Sequence, residues 1–425
     1  MIFPISRKGT ASSREDSIRW PARRRFSGTQ GPIRQLLPGM VAGAADVDPA
    51  LVFTAIAAGA VYHYSLLWSV LLSIPFLFAV FGVSSRIGFE TQKGLVDLLR
   101  RHYGATAALA CALVVVVINL TMIVADLMAV TDSFSLLAGL PRMYFIAALA
   151  FCVWYALIFR DYRKLTGAVA VLALPLFTFV AAAVLAHPDW RQVVSYSLFP
   201  RIPRDAGYPT MVIAVLGSLL TPYVLVWQTT SRREDALAGR LSSRGSEHRA
   251  GTIVTTVLCY SVMVASGAML HAASVRDVTT RMAASVLDPA VGALSTALFA
   301  VGIIGAGMVA LPVLVASMCY SVAEAMGWKS GLNENPWEAV RFYVLISGAM
   351  LLAAAFNFIK MNPVVALYRS QVLAGALAVP ILIFILVISN DRRIMRTTNT
   401  WWQNFWIGAA AGAVVAAGVI VLWWK

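Results

Sequence analysis

Asp46, Asp48 and Pro49 lie inside the first long apolar stretch of the chain, residues 38–54. A charged Asp at bilayer depth costs about 2.5–3.5 kcal/mol on insertion scales. Proline in a helix interior removes a backbone hydrogen bond and clashes with the preceding turn. The two faults side by side predict a helix interrupted at mid-membrane, with Asp48 at the break and facing a cation. A second interruption has the same grammar: Gly217, Ser218, Thr221, Pro222 and Tyr223 stand in one apolar run. Asp126, and nearer a span end Asp132, add carboxylates on one further segment, and Ser370–Gln371 add polar side chains on another. A site that draws a hydrated cation into hydrocarbon needs such groups. Fixed anions offset part of the dehydration, and carbonyls freed at a helix break, here around Ala45 and Gly217, supply more oxygens.

Each of these residues also has a plainer reading. Asp48–Pro49 fits an N-cap followed by proline at the first helical position, and Thr221–Pro222 fits it too. Ser or Thr would cap without a buried charge, which favours the ligand reading for Asp48. Asp126 is either part of a proton path or a buried, hydrogen-bonded acid. Gln371 is either a ligand or an interhelical hydrogen-bond partner, the commoner case for a polar residue in a span. Gln228 and Trp227 close the sixth run.

The elements that position these groups follow from composition. Of 425 residues, 59% are hydrophobic and 13% charged, against roughly 25% charged in a soluble domain. This is a polytopic membrane protein. Eleven apolar runs are long enough to be spanning helices, near 36–60, 62–83, 108–138, 143–159, 165–186, 208–230, 251–273, 290–320, 337–357, 363–389 and 401–424. The fourth to eighth runs contain no carboxylate, so negative charge gathers in the first and third. The four cysteines form no CxxC pair, and the five histidines show no metal-ligand spacing. No nucleotide loop, triad or zinc signature is present, so an enzyme is not expected; Gly302, Gly305 and Gly307 read as close helix packing.

The net charge of +14 is placed for topology, not for nucleic acid. With residues 1–35 as a disordered basic cytoplasmic tail, 25 of the 34 Lys and Arg fall on the inner side. The C-terminus then lies outside. Residues 36–187 form a first repeat of five helices, and residues 188–207 an extracellular loop. Residues 208–390 form a second repeat, with a cytoplasmic loop at 231–250, and residues 391–425 carry an eleventh helix. Interruptions at corresponding places in two five-helix halves point to a transporter built from inverted repeats.

At this point the residues resemble the NRAMP (natural resistance-associated macrophage protein) family of divalent metal transporters. The likeness runs from Pro38–Gly39 through Asp48–Pro49, Ala58–Gly59–Ala60, Leu67–Trp68 and Thr91–Gln92–Lys93–Gly94–Leu95. It continues through Ala125–Asp126–Leu127, Thr221–Pro222–Tyr223 and Ser370–Gln371–Val372. It implies the LeuT-type fold: all-α, a 5+5 inverted repeat with helices 1 and 6 discontinuous, and eleven transmembrane helices. It also implies alternating access, with a divalent cation as substrate and no resident cofactor. Asp48 corresponds to the metal-binding Asp of the family's Asp-Pro-Gly-Asn motif.

The departures change the expected cargo. The family's Asn falls on Leu51, its Met on Thr221, its His on Tyr223, and its second acid in span three on Ala129. Thioether sulfur favours transition metals, whereas carboxylate, hydroxyl and water suit Mg²⁺, Ca²⁺ and Mn²⁺. A divergent branch carrying Mg²⁺ or Mn²⁺ is the expectation, with much of the proton machinery missing. Asp48 is the expected main ligand, helped by Asp46, Thr221, Gln371 and the Ala45 and Gly217 carbonyls; Asp126 and Tyr223 are the expected proton path or support. The setting would be a bacterial inner membrane, and the protein a monomer. Two other readings stay open: a symporter for a small amine or amino acid on the same scaffold, and a transport-dead receptor.

Overall fold

A computed structural model describes residues 47–159, 170–237, 245–270, 278–332, 334–359 and 361–423. Asp46, Ala45, the tail at 1–35 and part of the loop at 231–250 lie outside the described residues. No strand occurs among the described residues. That is what hydrocarbon demands, since a helix satisfies its own backbone where water is absent.

The first half contains α1 (Pro49–Tyr62), α2 (Leu67–Thr91), α3 (Leu95–His102), α4 (Ala105–Ala138) and α5 (Met143–Phe159). A 3₁₀ segment, Ala170–Phe177, then runs into α6 (Thr178–Leu185). The second half contains α8 (Gly207–Leu220), α9 (Pro222–Leu237), α10 (Gly245–Met269), α11 (Thr280–Ser285) and α12 (Asp288–Val291). It continues with α13 (Ser295–Met326), α14 (Val340–Asn357) and α15 (Pro363–Asn390), and α16 (Trp401–Trp423) follows. Seven of these helices, together with α8 and the start of α9 taken as one run (Gly207–Thr230), make eight segments long and apolar enough to cross a membrane, or up to nine if one bent pair is counted as a span. The shorter apolar helices α1 and α5 stand beside them.

The connection at 188–207 is not wholly irregular. It carries α7 (Trp190–Leu198), N-capped by Asp189, and the chain turns through 109° between Val171–Leu185 and α7.

The two halves mirror each other in length. Helices α2 and α10 each have 25 residues, α4 and α13 have 34 and 32, and α5 and α14 have 17 and 18. Each helix also packs against its counterpart. The α4–α13 pair has the most extensive contact among the described residues, and Asn119 on α4 donates to the Leu314 carbonyl on α13 at 2.9 Å. At about 1.5 Å per residue each of these helices is roughly 50 Å long. With α15, which packs along α4, they form the frame on which the shorter helices rest.

Helix α13 runs six residues past the predicted 290–320 and so buries Glu324, a carboxylate that the apolar runs do not contain. Its carboxylate sits at the N-terminus of α3, where it accepts from Asp97 N–H at 3.2 Å and from the Thr230 hydroxyl at 3.4 Å. An anion there is favoured by the helix dipole. Leu95 N–H donates to Thr229 Oγ1 at 3.0 Å, so α3, α9 and α13 are tied together at one end of the molecule.

Helix α8 lies backbone to backbone on α15. A Cβ at Gly217 would collide with the Gln371 carbonyl and come within 2.7 Å of Gly375 N. Overpacking a tight contact typically costs 1–3 kcal/mol. Gly217→Val is expected to lower the thermal midpoint of the purified protein, measured by size-exclusion fluorescence after heating. A midpoint matching wild type would show that α8 and α15 do not approach this closely.

Candidate metal site

Helix α1 begins where the sequence places its fault. Asp48 is extended (φ −96°, ψ 163°), and its Oδ1 accepts the Leu51 N–H at 2.7 Å as an N-cap, with Pro49 at the first helical position. The capping reading therefore holds. It leaves Oδ2 facing across the bundle, where the Tyr223 hydroxyl donates to it at 3.3 Å. Tyr223 belongs to the first turn of α9, whose position is fixed in part by Ser317 Oγ on α13 donating to the Tyr223 carbonyl at 3.2 Å.

The second break falls at Thr221. Its φ of 36° is left-handed, a conformation costly for a β-branched residue. Pro222 next to it cannot donate to the preceding turn. Thr221 N–H closes α8 on the Gly217 carbonyl at 3.1 Å, and Val224 N–H reaches the Thr221 carbonyl at 2.9 Å. Both carbonyls thus serve the turn, and each keeps a second lone pair.

Two further side chains come from the frame. Asp126 on α4 and Gln371 on α15 are each 0% exposed, and Asp48 is 1% exposed. Neither oxygen of Asp126 and neither polar atom of the Gln371 amide has a hydrogen-bond partner among the described residues. The α1 helix that Asp48 opens packs against α4, which carries Asp126. Gly307 on α13 shows why: a Cβ there would press on Val130, one turn beyond Asp126, and lie 3.3 Å from Pro49 Cγ. The missing side chain lets α1 seat its broken end beside α4.

Of the residues singled out from sequence, Asp48 and Tyr223 are in direct contact. Gly217 lies beside the Gln371 backbone, and Thr221 is the break itself. Asp132 stands farther along α4. Thr54 was not singled out; its hydroxyl is buried on α1 without a partner. Nothing in the sequence separates it from an ordinary core threonine. Among the described residues no three His, Cys, Asp or Glu form a metal-holding cluster. The donors here are oxygens: two carboxylates, a phenol, an amide and turn carbonyls.

The family model for natural resistance-associated macrophage protein-like (Nramp) sequences matches residues 39–424, nearly the whole chain. The chain belongs to the Nramp family. A divalent metal cation transporter MntH of Acidiphilium cryptum is 25% identical over 384 residues, 87% of this chain and 85% of the relative. One from Burkholderia ambifaria is 28% identical over 211 residues, 48% of each protein. A crystal structure of a mutant Eremococcus coleocola manganese transporter superposes with a TM-score of 0.69 at 16% identity, covering 95% of this chain and 88% of that one. The fold is therefore the LeuT-type fold of Nramp proteins, and the paired lengths of α2 and α10, α4 and α13, and α5 and α14 are its repeat.

Asp126 is a buried carboxylate with no compensating donor among the described residues. Such a group costs about 1–3 kcal/mol, and more if charged. Asp126→Leu is expected to raise the thermal midpoint in the absence of metal, because an apolar side chain of similar volume removes both the charge and the unpaired polar atoms. A lower midpoint would show that Asp126 is well paired.

Proposed function

We propose that this Nramp-family chain is a secondary transporter that moves a divalent cation across the membrane by alternating access, with Mg²⁺ or Mn²⁺ preferred to soft transition metals. The observation that carries this reading is Asp48, an anion held by one backbone N–H at a helix break, with the Tyr223 hydroxyl on its other oxygen. The names of the relatives, divalent metal cation transporters and a manganese transporter, support the class of cargo.

In this reading Asp48 is the main ligand, and its position leaves lone pairs for a cation on both oxygens. Gln371 supplies an amide oxygen, and Thr221 and Gly217 supply carbonyls, directly or through water. Asp46 and Ala45 belong to the stretch just before α1 and would complete the first break. Tyr223 takes the place of a ligand-side base: its hydroxyl steadies Asp48 and cannot carry a proton as imidazole does near neutral pH. Asp126 adds negative charge behind the site. Mg²⁺ keeps several waters and needs few protein carboxylates, so a sparse, hard donor set suits it.

Asp48, Asp126 and Gln371 are all buried, so in this reading a cation reaches them only when the helices around them move. Movement of the broken helices α1 and α8–α9 against the α4–α13 frame would open one side at a time. The excess of Lys and Arg on the tail side supports an inward N-terminus, in a bacterial inner membrane, with the protein acting as a monomer.

Two outcomes in proteoliposomes check the reading. Asp48→Ala is expected to abolish Mn²⁺ and Mg²⁺ uptake, and small amines are expected not to compete; uptake at the wild-type level, or competition by amines, would contradict it. Thr221→Met adds a thioether at the break and is expected to raise Cd²⁺ uptake relative to Mg²⁺ by about tenfold, the effect of one soft ligand worth about 1.4 kcal/mol. An unchanged Cd²⁺ to Mg²⁺ ratio would show that the side chain at 221 does not face the ion.

A further inference from the structure

The membrane-facing side of the frame carries a groove of about 320 Å³ between α4, the end of α14 and the start of α15. Its walls are apolar. Leu120, Val124 and Met128 form a stripe along α4, Phe356 closes one side, and Ala366 and Leu373 line α15. These positions span nine residues on α4 and eight on α15, or about 10–12 Å along the helix axis.

One side chain does not belong in hydrocarbon. Arg369 lies in the groove, exposed, two turns inside α15, and it has no carboxylate or other partner among the described residues. A second guanidinium stands at the mouth. Arg142 donates to the Met361 and Ile359 carbonyls, at 2.9 and 2.7 Å, and both of those residues also line the groove. No acidic residue lines it. A comparable groove between α4, α13 and α14 contains Arg341, but that guanidinium is placed 5.6 Å over the Trp328 ring. Arg369 has no such ring.

A lone Arg within a span is costly unless it reaches an anion or water. Basic pockets between transmembrane helices hold anionic lipid headgroups for this reason. We propose that this groove holds one acyl chain of an anionic phospholipid, with the lipid phosphate on the Arg369 guanidinium and Arg142 adding positive charge at the mouth. The apolar walls on either side of the guanidinium are what select a lipid over a soluble anion. The groove floor includes Ala125 and Ser370, the neighbours of Asp126 and Gln371. A bound lipid would therefore brace α4 against α15 directly behind the two frame residues of the metal site.

The test is native mass spectrometry of the full chain in detergent, titrated with phosphatidylglycerol or phosphatidylcholine. Wild type is expected to retain one phosphatidylglycerol at concentrations where phosphatidylcholine is lost. Arg369→Gln is expected to weaken that first adduct about tenfold, and Arg369→Lys to keep most of it. Leu373→Trp keeps the charge but fills the groove, and is also expected to remove the adduct. Arg369 is exposed, so Arg369→Gln should fold, which a cooperative melt at the wild-type midpoint in detergent verifies. Equal retention of the two lipids, an unchanged adduct in Arg369→Gln, or displacement of the lipid by inorganic phosphate would overturn the proposal.

Discussion

One carboxylate at a helix start sets the terms for the rest of the molecule. Asp48 caps α1 through Leu51 N–H and meets the Tyr223 hydroxyl from the other broken helix. A serine or threonine would make the same cap with no charge to bury. Keeping an anion there requires everything around it to be built close and polar where it faces the break, and apolar elsewhere. The glycines at 307 and 217 do the first by letting α1 approach α4 and α8 approach α15. The long α4–α13 pair does the second.

The two breaks differ in how they are held. At α1 the backbone is extended and capped, an unstrained solution. At Thr221 a β-branched residue occupies left-handed space, which costs of order 1–3 kcal/mol. Pro222 and the Gly217 carbonyl fix that conformation from either side. A strained turn and an unpaired buried carboxylate each work against the stability of the bundle. At the far end, Glu324 ties α3, α9 and α13 together. Any motion of α9 must work against those hydrogen bonds.

Much of the fold could be read from hydropathy, since apolar runs of spanning length have few alternatives in a bilayer. The run at 143–159 coincides with α5, and 363–389 falls one residue short of α15. Where the reading failed, polarity was the cause. Glu324 ended the eighth run early, although the helix continues and buries it. The connection at 188–207 carries α7, an amphipathic helix with only two buried residues, which no apolar run announces. The breaks were legible because proline and a buried charge are expensive in the same place. The contact between Tyr223 and Asp48 was not, because it joins residues 175 apart through the packing of two halves. Thr54 and the groove around Arg369 share that limit: each depends on which helix faces which.

The central claim is that Asp48 binds the transported ion directly. Crystals of the full chain soaked in Mn²⁺ and measured at the manganese absorption edge give the most direct test. The account predicts the strongest anomalous peak about 2.0–2.6 Å from an Asp48 carboxylate oxygen, the range for hard divalent cations on oxygen ligands. A strongest peak elsewhere, with Asp48 still engaged only by Leu51 and Tyr223, would contradict it.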